Sequence, residues 1–266
     1  MTTTLTPIDK LGKEVRLLGA GLDREQARAL VDVYYRWQEH RIALANQARA
    51  ARTDEEPTLL LDHFAAQVAT LEKQMVGVLD EWTEAHEVGR WSKAQKGIGP
   101  VLAAGLLAHI DIEKAHTAGA IWRFAGLDPT VTWGKGEKRP WNADLKVLCW
   151  KIGDSFVKVS GKNDAFYGQL YRQRKTIEVE KNQAGAFAET AVATLAAKKF
   201  KDKKTRELYE AGTLPDGRID LRARRWAVKI FLAHWFEVAY EDHYGKPAPL
   251  PYPIAQLGHV HKIERP

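Results

Sequence analysis

Between Leu61 and Trp82 the apolar residues Leu61, Phe64, Val68, Leu71, Met75, Val78 and Trp82 fall alternately three and four apart through three heptads. That period keeps one seam of an α-helix turned toward a partner helix and does not fit the alternation of a half-buried strand. A second stripe precedes it from about Asp23 to Arg52, with Ala27, Leu30, Tyr34, Trp37, Leu44, Ala48 and Ala51 interrupted only by Arg41. Between the two, Thr53-Asp-Glu-Glu-Pro57 places carboxylates where a helix dipole favours them and a proline where a first turn tolerates it. A connection this short makes the helices antiparallel neighbours. No alternating strand pattern occurs elsewhere, so the expected fold class is all-α: a long, coiled-coil-like helical hairpin plus a compact helical domain containing a helix-hairpin-helix.

The pattern divides the chain into four stretches. Residues 1–88 read as the hairpin arm and 89–160 as the helix-hairpin-helix domain. Residues 161–220 read as a basic insertion of two weakly apolar helices, and 221–266 as a closing helix with a Pro-rich tail packed on the core. Within the second stretch, 91–124 reads as three short helices. Asn142 to Ser160 is a helix with Leu145, Val147, Leu148, Cys149, Ile152 and Phe156 on its apolar side.

Charge is unevenly spread along the chain. Residues 1–90 carry eleven Lys and Arg against fifteen Asp and Glu, whereas residues 91–266 carry twenty-nine against nineteen. The cationic surplus therefore belongs to the later part, where a polyanionic partner is expected. A single cysteine, Cys149, excludes a disulfide framework and a cysteine metal site, and fits a reducing cytoplasm. No secretory leader is read at the N-terminus, and no stretch is apolar enough for a membrane span. His259 and His261 have chelating spacing, but no third ligand is fixed, so neither a metal site nor a cofactor is expected.

Lys96-Gly97-Ile98-Gly99-Pro100 precedes an Ala- and Leu-rich segment, Val101 to His109. Two glycines allow a tight turn and a close backbone approach to phosphate, and the amides opening the next helix point at the anion. Ile98 is expected to plug the space between helices, Pro100 to occupy the first turn, and Lys93 and Lys96 to reach flanking phosphates. Contacts of this kind read backbone rather than base edges. A second candidate is the loop Trp133-Gly-Lys-Gly-Glu-Lys-Arg-Pro-Trp141. There Lys135, Lys138 and Arg139 could meet phosphates while an indole stacks on an exposed base, or the tryptophans could simply anchor a solvated turn.

The run Lys96-Gly-Ile-Gly-Pro-Val-Leu-Ala-Ala-Gly-Leu-Leu-Ala-His-Ile110, followed by Phe124-Ala-Gly-Leu-Asp-Pro129, resembles the C-terminal domain of insertion-sequence one-hundred-ten family transposases. The resemblance covers about Leu22 to Ser160 and Leu221 to Tyr244, leaving Lys162 to Asp220 unmatched. It implies DNA transposition by serine-type recombination, assembled with an acidic RNase H-like domain and guided by structured RNA. The twenty or so residues before the first long helix leave no room for that acidic domain. Where the resemblance implies a nucleophilic serine, after Pro129, the chain reads Thr130-Val-Thr132.

The expectation is thus a protein that binds DNA, or structured RNA, by its backbone with little sequence preference and without catalytic activity of its own. Two alternatives stand beside it. One is a recombinase subunit completed in trans, with Thr130 or Thr132 at its centre; the other is a helical interaction module that forms a homodimer through the N-terminal helices.

Overall fold

The computed structural model describes residues 6–9, 12–53, 58–250 and 262–266. The acidic lead-in at 54–57, the prolines 251 and 253, and His259 and His261 lie outside the described residues. Among those described there are eleven α-helices and no strand, so the protein is all-α. None of these helices is long and apolar enough to cross a membrane. The chain separates into two units, one formed by 1–93 with 99–111 and the other by 94–98 with 112–266.

In the first unit, α1 (Lys13–Leu17) and a 3-10 turn (Leu18–Gly21) lead into α2 (Arg24–Thr53). Next come α3 (Leu59–Glu84), α4 (Glu87–Ala94, its last residue counted with the second unit) and α5 (Pro100–His109). Ion pairs set the direction of the long pair: Arg41 meets Glu72 at 2.7 Å and Arg52 meets Asp62 at 2.5 Å, so α3 runs antiparallel to α2. The seam expected from Leu61 to Trp82 is buried at Met75 and Trp82, but Phe64 stays 55% exposed, as do most of the side chains of Leu59 and Leu60. Toward the other end of the pair, Ala27, Val31, Leu79 and Trp82 close on Val101, Ala104 and Ala108 of α5. Small residues at three and four spacing let α5 seat closely there. The Trp82 indole donates to the Leu22 carbonyl at 3.0 Å, which satisfies its one donor.

The second unit is built on α11 (Asp216–Tyr244), which is buried nearly all round from Phe231 to Ala239. Around it lie α6 (Ala118–Phe124), α7 (Ala143–Val159) and α8 (Phe166–Gln183). Asn142 caps α7 by accepting from the Leu145 amide at 2.8 Å. Phe156 stacks on Tyr167 and meets Phe231 edge-on, which locks α7, α8 and α11 together. Val147 departs from the expected apolar side of α7: it is 53% exposed, because it lies off the face turned to α11.

The stretch expected to hold two helices holds three: α8, α9 (Ala188–Ala197) and α10 (Lys203–Glu210). Tyr167 and Tyr171 of α8 are core residues, whereas α9 and α10 close a small cluster around Phe187, Ala191, Tyr209, Leu214 and Ile219. The lysine-rich sequence masks this because each of these helices buries only a narrow stripe. Gly245 ends α11 in the left-handed conformation (φ 63°), and beyond it Lys262 and Arg265 pair with Glu237 and Glu241.

Candidate functional site

The glycines of the Lys96–Pro100 turn have different tasks. Gly97 has φ 100°, a region that favours glycine, and a Cβ there would lie 3.2 Å from both Ser155 Oγ and Val159 Cγ2. Its carbonyl accepts from the Ser155 hydroxyl at 2.5 Å, so Gly97 is fastened to the C-terminal half of α7. Gly99 is extended (φ −97°, ψ 176°), no atom lies within 4 Å of a Cβ built on it, and no side chain caps α5 behind it. Ile98 is buried, and Pro100 opens α5. The backbone is thus open at Gly99 and committed at Gly97.

The two lysines also differ. Lys93, in the first unit, is only 12% exposed and binds Asp80 at 2.5 Å and Glu84. Burial works against its ammonium, but the two carboxylates outweigh it and hold the charge above the usual lysine range. Lys96, in the second unit, makes an open pair with Asp164 at 2.9 Å. An exposed pair of that kind exchanges readily for a stronger anion; the Lys93 cluster does not.

The loop from 133 to 141 is ordered by its own residues. The Trp133 indole donates to the Glu137 carbonyl at 2.8 Å, and the Glu137 carboxylate accepts from the Gly134 amide at 2.8 Å. Glu137 therefore serves the backbone rather than neutralising Lys135, Lys138 or Arg139, none of which has a carboxylate within 4 Å among the described residues. Arg139 lies over the Trp133 ring at 5.4 Å, Lys146 over Trp141 at 4.0 Å, and the two indoles meet edge-on at 6.1 Å. Trp141 is seated on Gly126, whose φ of 64° and bare Cα leave room for the ring; a Cβ there would come within 2.8 Å of Trp141 Cγ.

Sequence reasoning did not single out Lys146, and it placed Arg225 only in a general basic run. The paired indoles bring Arg139 and Lys146 to one place, and the Lys146 ammonium is lowered by burial and then by Arg139 and Arg225. Arg225 is exposed, yet the crowding of protein around it, followed by Arg218 and Arg222, lowers its guanidinium in turn. Neither Lys146 nor Arg225 has an ion-pair partner among the described residues. Nearby, Lys229 lies over Trp122 at 4.4 Å and is lowered by burial against the pull of Asp128.

Other crowded cations in this unit enclose a carboxylate: Arg174 and Arg222 flank buried Glu178, and Lys175 and Arg224 flank Asp220. Among the described residues, Arg139, Lys146 and Arg225 have no such counter-ion. Gly97 meets α7 at Ser155 and Val159, while Lys146 is near the other end of the helix, about 14 to 20 Å away along the axis at 1.5 Å per residue. Gly97 and the loop cations therefore occupy two places along α7, not one.

Thr130 closes a turn: its hydroxyl donates to Asp128 at 2.7 Å and its amide donates to the same oxygen at 2.9 Å. These bonds, hydroxyl first, hold the Asp128 carboxyl below its usual range, which makes Asp128 a weak proton acceptor. Thr132 is exposed. Cys149 is fully buried, and burial pushes its thiol up to about 12. No group of three or more potential metal ligands occurs among the described residues. On the first unit, a cavity of about 410 Å³ is lined by Tyr34, Arg41, Ala69, Glu72, Lys73 and Val76, and its guanidinium is already paired with Glu72.

No protein-family model, curated protein or solved structure matches the chain.

Proposed function

We propose that the chain is a nucleic-acid-binding protein that grips the DNA backbone with little base preference and has no catalytic activity of its own. In this reading it is a relative of the C-terminal domain of insertion-sequence one-hundred-ten family transposases. One observation carries the binding reading: Arg139 and Lys146 are gathered over the paired indoles of Trp133 and Trp141 with no carboxylate partner among the described residues. Like charges gathered without a counter-ion repel one another, and a polyphosphate relieves that repulsion on binding. Lys135 and Lys138 extend the cationic loop, while the exchangeable Lys96 is a separate phosphate contact, and in the other unit the bare Gly99 backbone at the start of α5 presents amides suited to an anion. The bonds between Thr130 and Asp128 have the geometry of a turn and supply no activated hydroxyl, which favours binding over chemistry. Folded RNA presents the same phosphates and is the competing ligand.

The test is fluorescence anisotropy with a labelled duplex across a salt series, for the wild type and for Arg139→Gln/Lys146→Gln/Arg225→Gln. Each phosphate that goes unneutralised lowers the slope of log K against log salt by about 0.9, so the triple variant should lose about 2.7. Binding absent at low salt, or an unchanged slope in a folded triple variant, would overturn the reading. A structured RNA in the same series identifies the preferred polyanion.

A further inference from the structure

Beside the cation cluster the protein leaves large aromatic faces in water. Trp150 lies on α7 one turn beyond Lys146 and is 56% exposed, with Val147 next to it. Trp133 is 44% exposed and fixed by its bond to Glu137. Burial of indoles is readily achieved elsewhere, since Trp82 and Trp235 are almost wholly enclosed. Among the described residues, no ring or cation covers Trp150.

A flat apolar face flanked by cations without counter-ions selects the partner. An apolar protein surface would strip water from Arg139, Lys146 and Arg225 and return no charge. A duplex offers phosphates but keeps its base faces stacked inside. An unpaired strand offers both, because every base has a π-face and every linkage a negative charge. We infer that this surface takes single-stranded nucleic acid, with bases stacked on Trp150 and Trp133 and phosphates held by Arg139, Lys146 and Arg225. This rests on the backbone-binding reading above and adds to it which form of nucleic acid the cluster takes.

The full-length protein is titrated with oligothymidylate, an abasic strand of equal length, a blunt duplex and oligouridylate, using wild type, Trp150→Ala and Trp150→Phe. Trp150 is exposed, so both variants should keep the wild-type melting curve. The expected result is that Trp150→Ala loses roughly five- to hundred-fold in affinity for oligothymidylate, while the abasic strand and the duplex bind it as they bind wild type. Trp150→Phe restores most of the loss, and wild-type tryptophan emission is quenched by the thymidine strand more than by the abasic one. The tighter of oligothymidylate and oligouridylate shows whether the strand is DNA or RNA. Equal affinity for thymidine and abasic strands, with Trp150→Ala indifferent to both, overturns the stacking inference and leaves phosphate binding intact. Binding to none of the four overturns both.

Discussion

Replacing Gly97 by alanine separates the packed glycine of the hairpin from the open one at Gly99. At φ 100° an L-residue carries a backbone penalty of about 1–2 kcal/mol. The new methyl also sits 3.2 Å from Ser155 Oγ and Val159 Cγ2 and 3.5 Å from Phe156 Cδ1, on a helix held by its own core contacts. Overpacking of that kind adds about 1–2 kcal/mol, so Gly97→Ala should destabilise the second unit by about 2–4 kcal/mol. Gly99→Ala meets no atom within 4 Å and keeps an ordinary φ of −97°. The entropy gained in the unfolded chain and the poorer N-cap nearly cancel, leaving a change within about 0.5 kcal/mol. Urea unfolding followed by tryptophan emission and circular dichroism reads both. With a slope near 2 kcal/mol per molar, the Gly97→Ala midpoint should fall by about 1–2 M. A Gly97→Ala midpoint equal to wild type, or a Gly99→Ala protein as damaged as Gly97→Ala, would refute the division of labour.

Lys93→Met should lower stability by about 1–2 kcal/mol, since Glu84 loses its ion pair and Asp80 keeps only the 3.7 Å contact with Arg16. The same variant should keep the wild-type salt slope for duplex binding; a shallower slope would mean that Lys93 reaches phosphate after all. A pH series tests His234, whose Nε2–H donates to the Ile263 carbonyl at 2.7 Å while Nδ1 accepts from the Tyr167 hydroxyl at 2.8 Å. Burial first lowers its proton affinity, and Lys262 adds to this against Ile263, Glu237 and Glu264. The native ring is therefore neutral, and its contribution is complete above the unfolded value of about 6.5 and lost as pH falls below it. Melting curves from neutral to mildly acid pH should fall more steeply for wild type than for His234→Gln, and parallel curves would contradict the assignment.

The helical architecture is legible wherever a stripe is long. The two stripes give α2 and α3 to within two residues at each end, and the helix expected from Asn142 to Ser160 is α7, with Asn142 as its cap. Legibility fails where burial is narrow: α8 reads as polar because Tyr167 and Tyr171, the residues that place it in the core, are few among lysines and arginines. Of the candidate site, the turn at Gly97 and the loop cations can be read directly, because glycines and charge runs mark them. The ion pairs of Lys93 cannot, since Asp80 and Glu84 reach it only because α4 turns back along the end of α3. The convergence of Lys146 and Arg225 is tertiary in the same sense. Trp150 does leave a signal, a large aromatic lying off the stripe Leu145, Leu148, Ile152 and Phe156, where a helix built only for packing would carry a polar side chain.

The pair of Arg41 with Glu72 also limits which partners α2 and α3 can accept. Helices with a bare heptad seam can slip by seven residues and recover nearly the same contacts, or exchange partners between molecules with little loss. A slip of that size here would set Arg41 opposite Ala65 or Leu79, leaving the guanidinium and the buried Glu72 carboxylate each without a counter-charge. A hairpin slipped by seven residues therefore carries two uncompensated charges, and one polar position thereby distinguishes the native register from its nearest competitors.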